Sequence, residues 1–427
     1  MSTVILGGGI AGISAAYHAG VEGEEAVVYE QSPSWGGLCD YFTVDGFRFD
    51  RAVHLSFTKA KYVRRLFDLS VESFVHPPLA YNYYEGYWLK HPAQNNTFPL
   101  TVDEKIRVIM DFIHRDSSLT ASDYERWLRY QYGDYFAENF PMKYTRKYWT
   151  LEARELTTSW IGNRMYRPSV EEVLRGALVE DTPNTYYADE MRYPKKGGYK
   201  AYLTYMAERS TIFLNRRVIA IDTKNKKVEF EDGGSQHYEH LLSSIPLPDV
   251  VKLVKDAPRR VVEAGEALCA TSIALMSLGF KHPDIPKYLW FYVYDESVPP
   301  ARVYAPSMKS PDNVPDGRSS LQFEIYFSKY KPLVIRGENL VEHAVDKAVE
   351  LGWFGKNDID IVDVREVEYG NVVFHKNMET HRKTIHDFLD QQGVIPIGRF
   401  GEWAYLWSDQ SLLSGRQGVA KVTKKKA

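Results

Sequence analysis

Three glycines near the start of the chain limit what its first fifty residues can fold into. Gly7, Gly9 and Gly12 have the spacing G-x-G-x-x-G, after an apolar strand and before a helix rich in small residues. This arrangement is typical of a strand–turn–helix unit that binds a dinucleotide, whose pyrophosphate approaches the backbone at the helix N-terminus. A second predicted strand, residues 27–30, ends in Glu30, where an acid that binds a ribose is expected. The sequence therefore predicts a dinucleotide-binding α/β unit.

A second glycine pair follows the predicted ribose acid closely. Gly36 and Gly37 stand in the motif S-W-G-G, and the segment D-G-F-R-F-D follows at residues 45–50. A double glycine in this place resembles the FAD-binding opening of the amine oxidase and protoporphyrinogen oxidase superfamily. The resemblance implies that the dinucleotide is FAD and that the pair lies beside it. NAD remains the alternative, and it is less favoured because NAD-binding folds do not need the second glycine element.

Apolar periodicity along the rest of the chain predicts a mixture of helices and strands. The predicted helices cover residues 59–69, 104–115, 122–136, 199–209, 338–351 and 410–422. The predicted strands cover residues 240–245, 272–280, 289–294, 320–327 and 394–401, the last one ending in glycine-rich backbone. A hairpin turn is predicted at residues 231–234.

The length of 427 residues exceeds what one simple core usually holds, so two or three packed units are expected. We predict the α/β class, with a discontinuous Rossmann-like FAD-binding domain, a helical insertion and an antiparallel-sheet substrate domain. The FAD-binding domain is expected to combine residues 1–75, 193–265 and 386–427. The mainly helical insertion, which would also bind substrate, is expected over residues 76–192, and the antiparallel sheet over residues 266–385.

Composition and charge argue against several classes of function. The net charge of −3 gives no electrostatic reason to expect a nucleic acid partner. No apolar run approaches the roughly 20 residues that span a bilayer, so no membrane span is expected. Cys39 and Cys269 are the only cysteines, which suits a reducing cytoplasm, and we expect no signal peptide before the first strand. We expect no metal site, since His375, His381 and His386 do not form a clean ligand set, while an oligomer is compatible with all of these features.

Four further motifs occur in order along most of the chain. They are W-L-K-H-P-A-Q-N-N at residues 88–96, T-T-S-W-I-G-N-R at residues 157–164, W-F-Y at residues 290–292, and G-R-F-G-E-W-A-Y at residues 398–405. Any one of them is a weak signal, but their joint occurrence after an FAD fingerprint is specific. Together they resemble the UDP-galactopyranose mutase family, especially its eukaryotic-type branch.

The resemblance implies a reaction without net oxidation or reduction. Mutases of this family interconvert the pyranose and furanose forms of a sugar that is held on a nucleoside diphosphate. N5 of reduced FAD attacks the anomeric carbon and displaces the diphosphate, so that a flavin–sugar adduct forms. The resemblance therefore implies a nucleoside-diphosphate sugar as partner, a cytoplasmic enzyme of cell-surface polysaccharide biosynthesis, and FAD that must be reduced, with NAD(P)H as a candidate reductant.

The resemblance also implies which residues would act on the substrate. Arg164 and Arg302 stand where the family has its pyrophosphate arginines, and a planar guanidinium suits this role because it binds phosphate oxygens bidentately. For either arginine alone a surface ion pair is the simpler interpretation, but two matching positions favour phosphate binding. His54 would stack against the flavin ring, and Arg399 would stabilise negative charge on it. The catalytic candidates are Arg164, Arg302, His54, Tyr292, Tyr405 and Arg399.

Further positions would hold FAD and the substrate in the same family pattern. The cofactor-binding candidates are Gly7, Gly9, Gly12, Glu30, Gly36, Gly37, Val218, Arg399, Asp409 and Gln410. Among these, the backbone near Val218 would meet the adenine. The substrate-binding candidates are Phe57, His91, Gln94, Trp149, Arg164, Tyr292, Arg302 and Tyr405.

Several residues depart from the family pattern. His91 and Ala93 replace an expected tyrosine and phenylalanine that sandwich uracil, so the base pocket is predicted to accept another base, a purine among them, or to hold uracil differently. Val53 replaces a glycine before His54, and its branched side chain disfavours the backbone movement that accompanies flavin reduction in the family. Asp409 stands where the family usually has asparagine. The sequence thus predicts a nucleotide sugar and leaves its base and its sugar open.

Two other functions stay open on the sequence alone. A flavin-dependent oxidase or dehydrogenase of the same superfamily would act on an amine, a porphyrinogen or a polyene, and would not need paired arginines. A non-catalytic member would hold FAD structurally, which would account for the departures at Val53 and in the base pocket. The discriminating feature is whether Arg164 and Arg302 both face the flavin.

Overall fold

The computed structural model of the chain describes residues 3–116, 118, 122–162, 164–184 and 188–423. The strands are, in chain order, β1 (Thr3–Leu6), β2 (Ala26–Tyr29), β3 (Tyr41–Val44), β4 (Phe47–Asp50), β5 (Ser73–His76), β6 (Tyr81–Tyr84), β7 (Tyr87–Lys90), β8 (Met191–Pro194), β9 (Thr211–Phe213), β10 (Val218–Asp222), β11 (Lys227–Phe230), β12 (Ser235–His237), β13 (His240–Ser243), β14 (Ala270–Phe280), β15 (Trp290–Val293), β16 (Arg302–Tyr304), β17 (Ser319–Phe327), β18 (Ile359–Val372) and β19 (Val394–Pro396). The helices are α1 (Ile10–Val21), α2 (Lys61–Ser70), α3 (Val102–His114), α4 (Tyr124–Tyr132), α5 (Asp134–Ala137), α6 (Lys143–Tyr148), α7 (Val170–Leu178), α8 (Thr204–Ala207), α9 (Leu247–Leu253), α10 (Arg259–Ala267), α11 (Pro306–Lys309), α12 (Gly337–Glu350), α13 (Met378–Gln391), α14 (Gly398–Gly401) and α15 (Ser408–Thr423).

A five-stranded parallel sheet in the order β19-β13-β1-β2-β9 carries the predicted nucleotide-binding unit. In register, Ile5 lies between Leu242 of β13 and Val28 of β2. All three side chains are fully buried, as expected for a parallel sheet that is covered on both faces. The strands come from three separated stretches of the chain, which confirms the predicted α/β class and its discontinuous nucleotide-binding unit.

Close contact between α1 and α15 brings distant parts of the sequence together. A Cβ added to Gly415 would lie 2.2 Å from the carbonyl oxygen of Ala11, so only glycine fits there. Ser14 Oγ also donates to the carbonyl oxygen of Leu412 at 2.6 Å. The helix predicted over residues 410–422 is therefore present as α15, and it packs directly against the helix that follows the glycine turn.

A seven-stranded sheet in the order β18-β14-β17-β16-β15-β6-β7 forms a second layer. Its pairs are antiparallel except for β6 and β15, which are parallel and place Tyr81 beside Phe291. The segment predicted as a helical insertion, residues 76–192, thus supplies two strands to this sheet. β18 has 14 residues and lies outside the predicted strands, because charged residues interrupt its apolar alternation.

Helices α3 to α7 form the helical part of the molecule beside this sheet, with Trp127 and Phe140 buried in its core. α3 begins with a capping box, in which the Thr101 side chain accepts from the Glu104 N–H and the Glu104 carboxylate accepts from the Thr101 N–H. The helix predicted over residues 122–136 is divided into α4 and α5. Gly133 causes the division, because its φ of 81° lies in the left-handed region, outside the helical range.

Further predictions differ in extent from the structure. The strand predicted over residues 394–401 is present only as β19, Val394–Pro396, and Gly398–Gly401 is the helix α14. The helix predicted over residues 199–209 is a 3-10 turn, Tyr199–Leu203, followed by the short α8. The boundary predicted between residues 385 and 386 falls inside α13, which is a continuous helix. The hairpin predicted at residues 231–234 is confirmed, since β11 and β12 pair there as antiparallel strands.

Among the described residues, no helix combines the length and the apolar character needed to cross a membrane. The same part of the chain holds no group of three or more histidine, cysteine, aspartate or glutamate residues that could bind a metal ion. Cys39 and Cys269 are both buried free thiols.

Candidate functional site

A deep cleft with a volume of about 1400 Å³ lies between the parallel sheet and the seven-stranded sheet. Its walls include the glycine turn after β1, the loop at residues 51–55, strands β15 and β16, and residues 405–409. Pockets for a single small ligand usually measure about 300–1000 Å³. The cleft therefore has room for a dinucleotide and for a second molecule beside it.

The glycine turn presents open backbone to this cleft. Gly7 has a φ of 95°, and a Cβ on Gly12 would lie 2.0 Å from the carbonyl oxygen of Gly7, so these two glycines serve the turn and its packing. A Cβ on Gly9 would meet no atom within 4 Å, which means that Gly9 leaves free space at the N-terminus of α1. Backbone N–H groups at such a helix end favour an anion. The space in front of Gly9 thus fits a pyrophosphate.

The second glycine pair packs directly on the first turn. The Gly36 N–H donates to the carbonyl oxygen of Gly8 at 2.8 Å, and a Cβ on Gly37 would lie 3.2 Å from Gly9 Cα. Both Gly36 and Gly37 have positive φ values, 117° and 59°. The two glycine elements that the sequence singles out therefore form one wall of the cleft.

Glu30, which follows β2, and Val218, at the start of β10, both line the cleft. Glu30 Oε2 accepts from the Gly8 N–H at 2.7 Å, and Oε1 accepts from the Ser32 N–H at 2.8 Å. These backbone donors fix the orientation of the carboxylate. Because each carboxylate oxygen has a second lone pair, Glu30 can still accept from ribose hydroxyls.

Arg399 of α14 and Asp409 of α15 both line the cleft. Arg399 Nη2 donates to Asn371 Oδ1 at 2.6 Å, and its guanidinium carbon lies 4.8 Å from the ring centre of Tyr405. Asp409 is in the first turn of α15. The side chain of Gln410 does not line the cleft; its Oε1 accepts from the Trp407 N–H at 2.9 Å, next to the first turn of α15.

The two predicted phosphate arginines both line the cleft, beside a pair of tyrosines. The guanidinium carbon of Arg164 lies 4.8 Å from the ring centre of Tyr405, and that of Arg302 lies 5.6 Å from the ring centre of Tyr148. The hydroxyls of Tyr148 and Tyr405 are hydrogen-bonded at 3.1 Å. Arg164 Nη2 also donates to the Tyr405 carbonyl oxygen at 2.6 Å. The arrangement combines two cations with two neutral hydroxyls.

Arg302 is held by a buried acid on the neighbouring strand. Its Nε lies 2.5 Å from Glu324 Oε2, and its Nη2 donates to the Tyr326 hydroxyl at 2.9 Å. The Glu324 side chain is fully buried, whereas 14% of the Arg302 side chain is exposed. The guanidinium therefore has one edge fixed by protein acceptors while part of the group faces the cleft.

Two histidines of the site are neutral at physiological pH. Burial lowers the pKa of His54 to about 4, and burial lowers that of His91 to about 3. The His54 Nδ1–H donates to the carbonyl oxygen of Ala52 at 2.9 Å, and the His91 Nδ1–H donates to Asn82 Oδ1 at 3.2 Å. The two rings therefore offer polar but uncharged surfaces, and neither stores a proton for acid catalysis near pH 7.

The remaining substrate candidates lie in the cleft wall with many aromatic neighbours. Tyr292 is 5.0 Å from the His91 ring, and Trp149 is 5.4 Å from the Tyr405 ring, between ring centres. Gln94 Nε2 donates to the Tyr166 carbonyl oxygen at 3.0 Å, which leaves its Oε1 oriented as an acceptor. The Phe57 ring lies 6.1 Å from those of Trp290 and Trp407.

Two residues of the site do not follow from the sequence, Tyr148 in the cleft wall and Glu324, which is fully buried behind Arg302. Tyr148 bridges the two arginines through its contact with Tyr405, and its only signal is its position next to Trp149. Glu324 is the only acidic or basic residue in β17, an otherwise uncharged strand. A lone charge in such a strand is a usable signal, because buried charges require a partner.

Known proteins share this fold over nearly the whole chain. Residues 10–360 match the family model described as flavin containing amine oxidoreductase. A crystal structure of reduced UDP-galactopyranose mutase superposes with a TM-score of 0.93 at 23% identity, covering 99% of this chain and 96% of that one. A putative protoporphyrinogen oxidase from Exiguobacterium sp. 255-15 has a TM-score of 0.76 at 18% identity, and putrescine oxidase bound to putrescine has 0.69 at 16%, each with 99% of both chains covered. At these identities the structures share the fold.

These matches identify the dinucleotide as FAD, and the residues of the cleft fit it. The free space at Gly9 suits the pyrophosphate, and the Glu30 carboxylate suits the ribose of the adenosine half. The adenine would then lie near Val218 and the flavin ring near His54 and Arg399. The remaining volume lies beside the two arginines.

Proposed function

Because this chain belongs to the family of flavin-containing amine oxidoreductases, we propose that it is an FAD-dependent mutase, which interconverts the pyranose and furanose forms of a nucleoside-diphosphate sugar. The likeness in fold to UDP-galactopyranose mutase supports this choice among the reactions of the family. The observation that carries the proposal is the presence of two guanidinium groups, Arg164 and Arg302, in the wall of the flavin cleft. Removal of hydride from an amine needs no such pair, whereas departure of a diphosphate is accelerated by it.

The two arginines would bind the diphosphate and stabilise the charge that it gains on leaving. Arg302 has its Nε edge fixed by Glu324, so the guanidinium does not have to be ordered when the anion arrives. Arg164 is similarly held by the backbone of Tyr405. Preorganised cations of this kind act most strongly where water is excluded, as in a deep cleft lined by aromatic rings.

The tyrosines would complete the diphosphate site without adding charge. The hydroxyl–hydroxyl bond between Tyr148 and Tyr405 leaves one hydroxyl hydrogen free to donate to a phosphate oxygen. Tyr292 lies beside His91 and would contact the same molecule. When bound and reduced, FAD supplies the nucleophilic nitrogen, and the role of these side chains is to hold the sugar and its leaving group in line beside it.

The base pocket is where we propose that this chain differs from the mutase named above. His91, Gln94 and Trp149 would form its wall, and the neighbouring Ala93 is fully buried and contributes no ring. Neutral His91 and the acceptor oxygen of Gln94 select a base edge that carries hydrogen-bond donors. We further propose a cytoplasmic role in supplying furanose units for cell-surface polysaccharide, with NAD(P)H as reductant.

A product assay with a panel of nucleotide sugars tests the proposal. FAD-loaded protein, reduced anaerobically with dithionite, is incubated with UDP-, GDP- and dTDP-hexoses, and the products are separated by chromatography. We expect one nucleotide sugar to give a furanose product with reduced protein and no product with oxidised protein. If the panel yields no furanose while an amine is oxidised with release of hydrogen peroxide, the protein is an oxidase and the proposal is wrong.

Matched arginine variants assign the activity to the cleft. Arg164→Met keeps the length of the side chain and removes its charge, and we expect turnover to fall about 10²–10³-fold, the usual effect of removing one donor to a developing anion. Arg175→Met removes an exposed arginine of α7 that pairs with Glu171, and turnover should stay at the wild-type level. Equal turnover in all three proteins would remove Arg164 from the reaction.

A further inference from the structure

Glu324 uses both of its carboxylate oxygens to connect two walls of the cleft. Oε2 accepts from Arg302 Nε at 2.5 Å and from the Tyr326 hydroxyl at 2.7 Å. Oε1 accepts from the backbone N–H of Val53 at 2.8 Å. Arg302 lies directly across from Glu324 in the β16–β17 pair, while Val53 belongs to the loop after β4. A single buried carboxylate thus joins Arg302 to the loop that carries His54, and both line the cleft.

The peptide unit between Ala52 and Val53 is fixed at both of its polar groups. Its N–H donates to Glu324, and its carbonyl oxygen accepts from His54 Nδ1 at 2.9 Å. Ala52, Val53 and His54 all line the cleft that also holds the glycine turn. The orientation of this peptide, and of the His54 ring bonded to it, therefore depends on where the Glu324 carboxylate lies.

Binding of an anion at Arg302 would change the charge balance around Glu324. In the structure the buried carboxylate is neutralised by Arg302, and the two partners share a close contact. A second anion that attracts the same guanidinium weakens this contact, because the positive charge is then divided between two acceptors. The carboxylate, which remains buried, must then rely more on its other donors, the Tyr326 hydroxyl and the Val53 N–H.

We propose that Glu324 is a positioning residue that couples anion binding at Arg302 to the peptide at residues 52–53, and through it to the flavin. The identity of the anion, a nucleoside diphosphate, rests on the proposed function. The coupling is reciprocal, so nucleotide affinity must change when the flavin is reduced by the same factor by which the nucleotide shifts the flavin equilibrium. Glu324 itself touches neither the substrate nor the reacting atoms.

The coupling is measured with FAD-loaded protein and UDP as the probe. The dissociation constant of UDP is determined from tryptophan fluorescence for the oxidised and the dithionite-reduced protein, and the flavin midpoint potential is determined with and without UDP. We expect the two dissociation constants of the wild-type protein to differ at least fivefold, the lower end of usual coupling strengths. Glu324→Gln should bring this ratio below about twofold, because Arg302 and Val53 donate to different oxygens of Glu324 and an amide keeps only one of them.

Two further variants separate positioning from general damage to the strand. Gln322→Met removes another buried polar side chain of β17, whose bonds go to Tyr304 and Ser277, and it should keep the wild-type ratio. Glu324→Asp keeps the charge beside Arg302 but is one methylene too short to reach both partners. The ratio of its UDP dissociation constants in the oxidised and reduced states should therefore also fall below about twofold. This variant replaces Glu324→Gln as the test if the neutral variant does not fold.

The outcomes separate the coupling from the proposed function. A wild-type ratio retained in Glu324→Gln or in Glu324→Asp overturns the coupling. If wild-type protein does not bind UDP, the measurement is repeated with GDP and dTDP. If it binds none of the three, the proposed function is wrong, and the positioning role is then decided by the midpoint potential without ligand. That potential should differ between Glu324→Gln and both the wild-type protein and Gln322→Met; identical potentials overturn the inference.

Discussion

Two glycines three positions apart give a sharp test of the cofactor site, because the same substitution should have opposite effects at them. At Gly9 an added methyl group meets no protein atom within 4 Å, and the backbone angles of −76° and −179° suit alanine. At Gly12 the methyl carbon would lie 2.0 Å from a carbonyl oxygen. The first substitution therefore places a methyl group in the space for the ligand, and the second places it in the protein.

The expected magnitudes follow from these distances. Gly9→Ala should leave the apoprotein as stable as the wild type or more stable by about 0.4–1 kcal/mol, since alanine restricts the unfolded chain. It should weaken FAD binding about 10- to 100-fold, because the methyl group displaces the pyrophosphate from one or more charged hydrogen bonds worth about 1.5–3 kcal/mol each. Gly12→Ala should destabilise the protein by about 1–3 kcal/mol or more, as overpacked sites do.

Urea unfolding followed by tryptophan fluorescence gives the stability of both variants, and quenching of flavin fluorescence during titration gives their affinity for FAD. If Gly9→Ala binds FAD as tightly as the wild type, the pyrophosphate does not lie in front of Gly9. If Gly12→Ala unfolds at the same urea concentration as the wild type, the close packing at Gly12 does not contribute to stability as predicted. Neither measurement requires the substrate to be known.

Buried charges and a buried histidine give three more predictions. Arg302→Met leaves Glu324 buried without its cation, so the free energy of unfolding in urea should fall by about 3–5 kcal/mol. Adding Glu324→Gln, which removes the charge and keeps one acceptor oxygen for the Val53 N–H, should restore part of the loss. Lys309→Met removes the cation that lies 2.8 Å from Asp50 Oδ2; urea unfolding should show a loss of the same order, while calorimetric titration should show unchanged nucleotide affinity. Burial lowers the pKa of His91 to about 3 in the folded protein, from an ordinary value of 6.5, so the unfolded chain binds the proton more tightly. The contribution of His91 to stability should therefore be fully present well above pH 6.5 and smaller by about 2 kcal/mol at pH 5. Urea titrations of His91→Phe at both pH values should lack this part of the difference.

The parts of the fold that follow from local sequence are those with regular spacing. The glycine turn with β1, α1 and β2 follows from residues 3–30 alone, because the turn, the apolar strand and the small helix residues all agree. The long helix α12, observed over Gly337–Glu350, lies within one residue of the prediction over 338–351. In these elements the spacing of apolar residues indicates a helix or a strand directly, so they can be predicted without knowing their contacts with distant residues.

The parts that sequence reasoning missed depend on distant partners. β6 and β7 join the seven-stranded sheet because Tyr81 pairs in parallel with Phe291, 210 positions later, and no local pattern reports this. β18 is a partly exposed edge strand in which charged residues interrupt the apolar alternation, so its period is weak. The break at Gly133 is an exception, since glycine inside a predicted helix is a local warning.

The candidate site shows the same division. The glycines and the two arginines follow from motifs, but Tyr148 and Glu324 gain their roles from contacts with Tyr405 and Val53 that fold topology creates. Gln410 stays a predicted cofactor residue, and its side chain accepts from the Trp407 N–H. A motif therefore predicts in which part of the fold a residue lies, but the hydrogen-bond partners of its side chain become known only from the structure.

The bond between Ser14 and Leu412, which spans 398 positions, also bears on how the chain is made. At a synthesis rate of roughly 5–20 residues per second, the ribosome releases the partner of α1 about 20–80 s after α1 itself. During that interval the nascent polypeptide exposes the small-residue face of α1 and an incomplete parallel sheet, a condition in which chaperones bind. Insertion of FAD is therefore expected only after α15 has been made and has closed over α1.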